Sequence, residues 1–520
     1  MVFLTGAVTL SLEVLASRIM TPFFGVSLYI WSGILSITLI FLAIGYRVGG
    51  NYASKNSKSS VEYALLAAPI ASALAIAIST AAYPLVFPIL SQINLIVGSF
   101  VGATLLLALP LIALSAMNPL LISLGMDNKK GGDGGAGRVF FISTMGSVIG
   151  VLLTAFMFIP NMTNFRAILI LGISISIVTV IFMFFSKDVD VEKKPRLLIA
   201  SLLSCALCAV LFITKDSYLK LISSAYANSS TFNVIAEYTS MFGNIKVAEV
   251  KNADGSGEAE KYFLQDGLIQ NRTTLENKSV SMYTYVLESL AHSYVPDAKD
   301  VLVLGLGAGI LPRHFKDESL NVSVVEINSV ALSAARTNFG FDPENINIHL
   351  EDARTYVRAC NQNYDVVVVD LFQGDNIPDY LMTKEFFSDL RKCVRSRGAV
   401  VMNTFFDSND DEPNRRLLAT LGSAFSNIFI SGINGGNIFL VGTSESSPKI
   451  LSVEAKELSG QLKNLVEFSV SGSKKVSRDY FKYSNPISDE HNIFSLLFAD
   501  ANITQRQYLS GILPPHVLVN

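Results

Sequence analysis

The chain has 520 residues, of which 50% are hydrophobic and 16% are charged, and its mean hydropathy is +0.43. This composition is too apolar for an ordinary soluble enzyme, and a net charge of −3 without a basic stripe argues against nucleic-acid binding. Part of the chain is therefore predicted to lie in a lipid bilayer.

The apolar excess is concentrated in the first 215 residues. Seven segments there approach or exceed the ~20 apolar residues that a helix needs to cross a bilayer. The first segment carries Glu13 and Arg18 and has no basic start followed by a small-residue cleavage site, so it does not resemble a signal peptide. We therefore predict an α-helical multi-pass membrane domain at residues 1–214, with about seven helices near residues 1–20, 28–49, 61–83, 93–116, 139–160, 167–185 and 197–213.

The remainder of the chain has an ordinary content of charged and polar residues. Strand patterns alternate there with helix patterns, as is typical of an α/β domain. We predict a linker and small β subdomain at residues 215–285, a Rossmann-like catalytic domain at residues 286–445 and a C-terminal α/β tail at residues 446–520.

A glycine-rich turn follows an apolar strand in this part of the chain, where residues 301–309 read VLVLGLGAG. Gly305 and Gly307 allow a sharp turn and a close approach to a ligand, and Gly309 allows the next segment to pack against the sheet. A tight turn without a ligand would have the same pattern. However, Glu326 ends the next strand, where its carboxylate can accept hydrogen bonds from both ribose hydroxyls. Together these residues predict a site for the adenosine part of a nucleotide-like cofactor.

Two further strands also end in acidic residues. Residues 346–350 lead to Asp352 and Ala353, and residues 364–369 are followed by Asp370. The carboxyl ends of neighbouring parallel strands meet at one crevice, so these side chains are expected to converge. The glycines and the first acidic residue, Glu326, nearly match the sequence pattern of an NAD site. However, Asp352 suits the exocyclic amine of an adenine, and Asp370 then lies beside the reacting end, which favours an S-adenosyl sulfonium site.

The cysteines and histidines have no spacing typical of metal ligands. Cys205 and Cys208 lie inside an apolar helix, Cys360 and Cys393 are isolated, and the five histidines form no HExxH-like pair. The sequence therefore predicts no metal.

Several stretches carry a family pattern. In the soluble part they are EYTSMFGNI (237–245), LQDGLIQ (264–270), MYTYVLESLAH (282–292), VLVLGLGAG (301–309), VVEIN (324–328), EDA (351–353) and YDVVVVDLF (364–372). In the apolar part they are EVLASRIMTPFFG (13–25), GYRVGG (45–50) and GRVFFISTMGSVIG (137–150). The chain resembles the polyamine aminopropyltransferases, of which spermidine synthase is the type, in their membrane-fused variety.

The resemblance implies a role for each strand-end acid. Glu326 would bind the ribose and Asp352, with Ala353, the adenine, while Asp370 would be the catalytic acid–base residue. An amine nucleophile has a pKa of about 10.4 and is therefore protonated at neutral pH. It cannot attack until a carboxylate takes or shares its proton. The co-substrate would be decarboxylated S-adenosylmethionine, or S-adenosylmethionine itself.

The resemblance also implies a substrate site. A small β-hairpin subdomain at about residues 232–277 would help to roof the active site. The residues expected to bind the substrates are Asp266, Gln270, Tyr283 or Tyr285, and Asp375. A stretch near the C-terminus, SDEHN at residues 488–492, would close over the site as the family's acidic turn does.

Two positions depart from the family pattern. The family's glycine loop reads GGGDGG, and its Asp, which pairs with the ammonium of the decarboxylated donor, is replaced here by Ala308. The second Asp of the family's DSSDP is replaced by Gln373, although Asp375 lies two residues later. We expect Ala308→Asp to tighten binding of a decarboxylated donor and to weaken binding of a donor that keeps its carboxylate.

Three functions remain open at this point. The first is a membrane-anchored aminopropyltransferase that acts on an amine such as putrescine. The second is a methyltransferase-like enzyme that uses intact S-adenosylmethionine, and the third is a non-catalytic sensor or a transporter. The expected partners are a small amine and the lipid bilayer, with a homodimer as a possibility and no nucleic acid.

The sequence gives conflicting indications of the side of the membrane on which the soluble domain lies. Basic residues between the helices make three loops cytoplasmic by the positive-inside rule, and an odd number of crossings then puts the soluble domain outside. S-adenosyl donors are made in the cytoplasm, so we expect a cytoplasmic soluble domain and a miscounted helix, either the first or the one at residues 197–213. The basic residues are Lys55, Lys58, Lys129, Lys130, Arg138, Lys187, Lys193, Lys194 and Arg196.

Overall fold

A computed structural model describes the chain except for residues 26–27, 127–132, 186–193, 225–229, 373–376, 407–410, 433–436, 446–450, 452–457, 459, 500–505 and 509–510. It divides into two compact units. One consists of Met1–Asn228, Thr239–Met241 and Arg506–Asn520, and the other of Ser229–Tyr238 and Phe242–Gln505. The division differs from the predicted domains at the C-terminus, because the last fifteen residues of the predicted tail pack with the helices.

In the part of the chain that the structure describes, the first unit contains seven long helices. They are α1 (Val2–Phe24), α2 (Leu28–Lys55), α3 (Lys58–Ile93), α4 (Leu95–Met126), α5 (Asp133–Leu153), α6 (Asn164–Phe185) and α7 (Lys194–Ser223). All seven are long and apolar enough to cross a membrane. A π-helical turn at Thr154–Phe158 extends α5 to Asn161.

The two helices that the sequence placed in doubt are both present at full length, with α1 covering 23 residues and α7 covering 30. A miscount in either helix is therefore not supported. The number of candidate spans stays odd, and the conflict between helix number and the positive-inside rule remains.

The second unit begins with a four-stranded antiparallel sheet, in the order β1-β2-β3-β4. Its last hairpin has a two-residue turn, because Gln265 pairs with Leu268. Asp266 and Gly267, the two turn residues, have φ of 47° and 77°. An Asp-Gly pair is favoured in such turns because both positions need a positive φ. The strands are β1 (Ser230–Tyr238), β2 (Ile245–Asn252), β3 (Glu260–Gln265) and β4 (Leu268–Thr274).

An eight-stranded sheet follows, in the order β12-β10-β11-β9-β8-β5-β6-β7. The five strands from β9 to β7 in this order pair in parallel, and β11, β10 and β12 add to the β9 edge in antiparallel pairs. This is a Rossmann-like fold. The strands are β5 (Asp300–Leu304), β6 (Asn321–Val325), β7 (Ile346–His349), β8 (Tyr364–Val369), β9 (Val394–Thr404), β10 (Asn427–Gly432), β11 (Ile438–Thr443) and β12 (Lys474–Lys475).

Helices cover both faces of this sheet. Val301 and Val303 of β5 point into one apolar cluster, and Leu302 and Leu304 point into another. This double burial explains the continuous apolar strands of the sequence, since a parallel sheet has helices on both sides. The helices are α8 (Met282–Tyr294), α9 (Ile310–Asp317), α10 (Ser329–Asn338), α11 (Ala353–Arg358), α12 (Lys384–Cys393), α13 (Asp411–Gly422) and α14 (Gly460–Ser471).

Candidate active site

A cavity of about 260 Å³ opens at the carboxyl ends of β5, β6, β7 and β8. The strand order runs outward from β5 in both directions, so this crevice is the place where open α/β sheets bind their ligands. Residues of the antiparallel sheet line its other side, among them Phe263, Gln265, Gln270 and Asn271.

The glycine turn lies at the base of the cavity. Gly305, Gly307 and Gly309 have φ of 95°, 53° and 75°, in a region that other residues rarely adopt. A Cβ on Gly305 would lie 2.2 Å from the carbonyl oxygen of Asp370, so this glycine allows β5 and β8 to end side by side. A Cβ on Gly309 would meet the ring of Phe341, which makes this third glycine a packing requirement.

Glu326 is held by backbone groups on either side of it. Its Oε2 accepts from the Leu306 N–H at 3.0 Å, and its Oε1 accepts from the Asn328 N–H at 2.7 Å. Desolvation in the cavity wall raises the pKa of this carboxyl, and the backbone hydrogen bonds oppose the rise. The carboxylate is therefore fixed in place, with lone pairs left for a ligand in the cavity.

Asp352 and Ala353 line the cavity at the start of α11. The Oδ1 of Asp352 accepts from the Thr355 N–H at 2.9 Å and caps the helix, while its Oδ2 accepts from the Tyr380 hydroxyl at 2.6 Å. The structure thus gives Asp352 a capping role beside any ligand role. Tyr380 itself lines the cavity and was not identified from the sequence.

Asp370 lies at the end of β8 and faces the cavity. Its Oδ1 accepts from the Asn403 side-chain amide at 2.9 Å, and the Tyr283 hydroxyl also donates to the carboxylate. Desolvation raises the pKa of Asp370 to about 6, against the lowering effect of these two hydrogen bonds. A carboxylate with this pKa is ionised at neutral pH and is a stronger base than an ordinary aspartate.

The two tyrosines of α8 have different surroundings. Tyr283 lines the cavity, and its hydroxyl accepts from the Asn271 side-chain amide at 2.6 Å. Tyr285 is buried in the apolar cluster under α8, where its hydroxyl donates to the Ser279 carbonyl at 2.9 Å. Of the two candidates that the sequence left open, Tyr283 is the one at the cavity.

Asn271 joins the antiparallel sheet to the glycine turn. Its Oδ1 accepts from the Ala308 N–H at 2.9 Å, while its amide nitrogen donates to Tyr283. This residue was not identified from the sequence. Its position next to Gln270 in the LQDGLIQ stretch was the available signal.

The remaining predicted substrate residues are distributed differently. Gln270 lines the cavity, and its carbonyl oxygen lies 3.2 Å from the Tyr283 hydroxyl oxygen. Asp266 is not among the described lining residues, and its Oδ1 accepts from the Asn244 N–H in the turn of the antiparallel sheet. Asp375 and Gln373 lie outside the described residues.

The side chain of Ala308 does not face the cavity. It is 1% exposed and packs in an apolar cluster with Ile245, Val247 and Phe263. A carboxylate at this position would be buried without a partner, which costs several kcal/mol. Ala308→Asp would therefore disturb packing first, and this burial removes the structural basis for the expectation that the variant discriminates between the two donors.

Residues 488–492 are likewise not among the described lining residues. Asp489 forms an ion pair with Arg354 of α11, and Arg354 Nη1 donates to the Tyr380 carbonyl at 2.9 Å. Asn492 donates to the Asp379 carbonyl at 2.8 Å. Among the described residues, this stretch thus contacts the segment that carries Tyr380 and does not itself line the cavity.

The described residues of the cavity wall carry negative charge only. Its described lining residues include four carboxylates, Glu326, Glu351, Asp352 and Asp370, and no lysine, arginine or histidine. Such a wall attracts a cationic ligand and repels a carboxylate.

Comparison with known proteins identifies the domain. The family model described as the spermine/spermidine synthase domain matches residues 280–423. A polyamine aminopropyltransferase from Vibrio vulnificus is 30% identical over 188 residues, which are 35% of this chain and 63% of that protein. A probable polyamine aminopropyl transferase from Bifidobacterium longum is 24% identical over 231 residues, 44% of this chain and 50% of that protein.

Among solved structures, a probable spermidine synthase from Corynebacterium glutamicum matches with a TM-score of 0.41 and 18% identity, over 49% of this chain and 97% of that chain. The chain spans 63% of the length of the first of these curated relatives and 50% of the length of the second. The second unit of the chain thus contains, at residues 280–423, a domain similar to the spermine/spermidine synthase domain.

Proposed function

We propose that the second unit transfers an aminopropyl group from decarboxylated S-adenosylmethionine to a small amine such as putrescine. The negative charge of the described cavity wall is the observation that carries this proposal. Donor and acceptor are both cations, and the described wall offers them four carboxylates and no competing cation. The curated relatives named above as polyamine aminopropyltransferases support the same reaction.

The donor is held by the two outer acids. Glu326 accepts the ribose hydroxyls with the lone pairs that its backbone hydrogen bonds leave free. Asp352, fixed between the helix cap and Tyr380, accepts from the adenine amine. The sulfonium end then lies toward Asp370, at the end of β8, which pairs with β5 on the side opposite to β6.

The reaction at this end is a single displacement. The amine nitrogen forms a bond to the aminopropyl carbon, the carbon–sulfur bond breaks, and the electron pair leaves with the neutral thioether. The proton of the amine passes to Asp370. Because the pKa of Asp370 is raised, it differs less from the ammonium pKa of about 10.4, and this smaller difference favours the proton transfer. The protein mainly aligns the two substrates and excludes water.

Intact S-adenosylmethionine fits this cavity less well. Its extra carboxylate would face the wall acids, and two like charges about 4 Å apart repel by roughly 4 kcal/mol at an effective dielectric of ~20. The methyltransferase-like alternative therefore has no support from the described wall.

Titration calorimetry of the purified full chain with both donors tests the proposal. We expect decarboxylated S-adenosylmethionine to bind at least tenfold more tightly than the intact donor, because only the latter brings a carboxylate to an acidic wall. Turnover with putrescine is expected to release methylthioadenosine. Tighter binding of the intact donor, or binding of neither, would contradict the proposal.

We also propose that the helical unit crosses a lipid bilayer and that the second unit faces the cytoplasm, where S-adenosyl donors are made. The seven long apolar helices support the first part, and their odd number opposes the second. Asp254, in the exposed turn between β2 and β3, provides a test as Asp254→Cys. A membrane-impermeant maleimide is expected to label this variant only after cell lysis. Labelling above the parental level in intact cells would place the unit outside.

A further inference from the structure

Two histidine–glutamate pairs connect α8 and α9. Glu288 and His292 lie one turn apart on α8, while His314 lies in α9 and Glu318 directly follows it. His314 Nδ1 is 2.7 Å from Glu288 Oε2, and His292 Nε2 is 2.6 Å from Glu318 Oε2. None of the four residues is among the described lining residues of the cavity, so this group, the α8–α9 cluster, is separate from it.

Three side chains of the α8–α9 cluster converge on one point. One ligand atom from each of Glu288, His292 and Glu318 lies within 4.8 Å of the other two. Zinc binds imidazole nitrogen at about 2.0–2.1 Å and carboxylate oxygen at about 2.0–2.2 Å, so its tetrahedral ligands are roughly 3.3 Å apart. Small rotations of the two flexible glutamates close the remaining gap around an ion.

We propose that Glu288, His292 and Glu318 bind a divalent transition-metal ion, with zinc as the best match. One imidazole and two carboxylates suit zinc better than calcium or magnesium, which prefer oxygen ligands alone. His314 holds the Glu288 carboxylate from outside, as partners of metal-binding carboxylates commonly do. Glu318 is 42% exposed, so a water molecule would fill the fourth position of a tetrahedral ion.

The position of the cluster gives the ion a structural role. Helix α8 carries Tyr283, which lines the cavity, and α9 begins directly after Gly309 of the glycine turn. A bound ion would tie these two helices together outside the cavity. The sequence predicted no metal because each pair stands alone along the chain, and only the packing of α8 against α9 joins them.

Metal binding by the purified full chain tests this inference independently of turnover. After removal of metals, zinc is titrated against a chromophoric chelator. We expect one equivalent to bind the parent protein, and His292→Gln and Glu318→Gln each to weaken binding at least tenfold. His314→Gln should weaken it by roughly 10- to 100-fold, because only the outer partner is lost.

His491→Gln is the matched control, since His491 is an exposed histidine outside the cluster, and zinc binding should stay at the parental level. The absorption spectrum of cobalt bound to the parent protein reports tetrahedral coordination without any variant that must fold. A parent protein without saturable zinc binding, a cobalt spectrum without tetrahedral bands, or equal affinity in the parent and His292→Gln would overturn the inference.

Discussion

Asp370→Asn is expected to retain donor binding and to lose turnover by roughly 10²- to 10⁴-fold, the contribution typical of a general base. The amide has the same shape and can still pair with Asn403, but it cannot take a proton from the amine. Turnover and calorimetric donor affinity, measured on the same preparation, separate these two effects.

The pH dependence provides a second measurement. The pKa of Asp370 is raised to about 6, so the carboxyl is neutral below this pH and ionised above it. The base must be ionised to act, and kcat/KM of the parent should therefore fall about tenfold per pH unit below about 6. In Asp370→Asn, kcat/KM should not show this fall at low pH.

Asp297→Asn serves as the control, because this exposed aspartate lies in the loop before β5, away from the cavity. It should turn over at the parental rate. Parental turnover in Asp370→Asn would mean that another group carries the proton.

Glu326→Ala is expected to weaken donor binding by roughly 10²- to 10⁴-fold, because two hydrogen bonds from the ribose to a charged acceptor contribute about 1.5–3 kcal/mol each. The variant also removes the acceptor for the Leu306 and Asn328 N–H groups. Thermal unfolding should accompany the calorimetry, so that lost affinity is compared in folded protein. Glu344→Ala, at an exposed glutamate before β7, should bind the donor as the parent does.

Asp352→Asn tests the adenine contact with little disturbance of α11, since asparagine caps helices as well as aspartate does. The oxygen that accepts from Thr355 is kept, and the one that accepts from Tyr380 becomes a donor. Donor affinity should fall while thermal stability stays near the parental value. Unchanged donor affinity in both Glu326→Ala and Asp352→Asn would remove the cofactor assignment.

The arrangement of Glu326, Asp352 and Asp370 could be predicted because it follows from local patterns. A parallel strand places its last residue at the carboxyl edge of the sheet, and the glycine turn marks that edge in the sequence. The alternation of apolar strands with helices therefore located the cavity and its acids before any tertiary contact was known.

The residues that hold these acids could not be predicted. Asn403 reaches Asp370 from a strand 33 positions later, and Tyr380 reaches Asp352 across 28 positions. Which way Ala308 points depends on how the antiparallel sheet packs against the glycine turn, and no local pattern encodes this. The same holds for the α8–α9 cluster.

Asn271 constrains how this chain can change in evolution. One side-chain amide accepts from the backbone of the glycine turn and donates to Tyr283, so its two ends cannot be exchanged. Aspartate would lose the donor, and leucine would lose both contacts. Among related chains that retain this turn, we expect position 271 to vary only together with position 283, a covariation that an alignment of homologues would reveal.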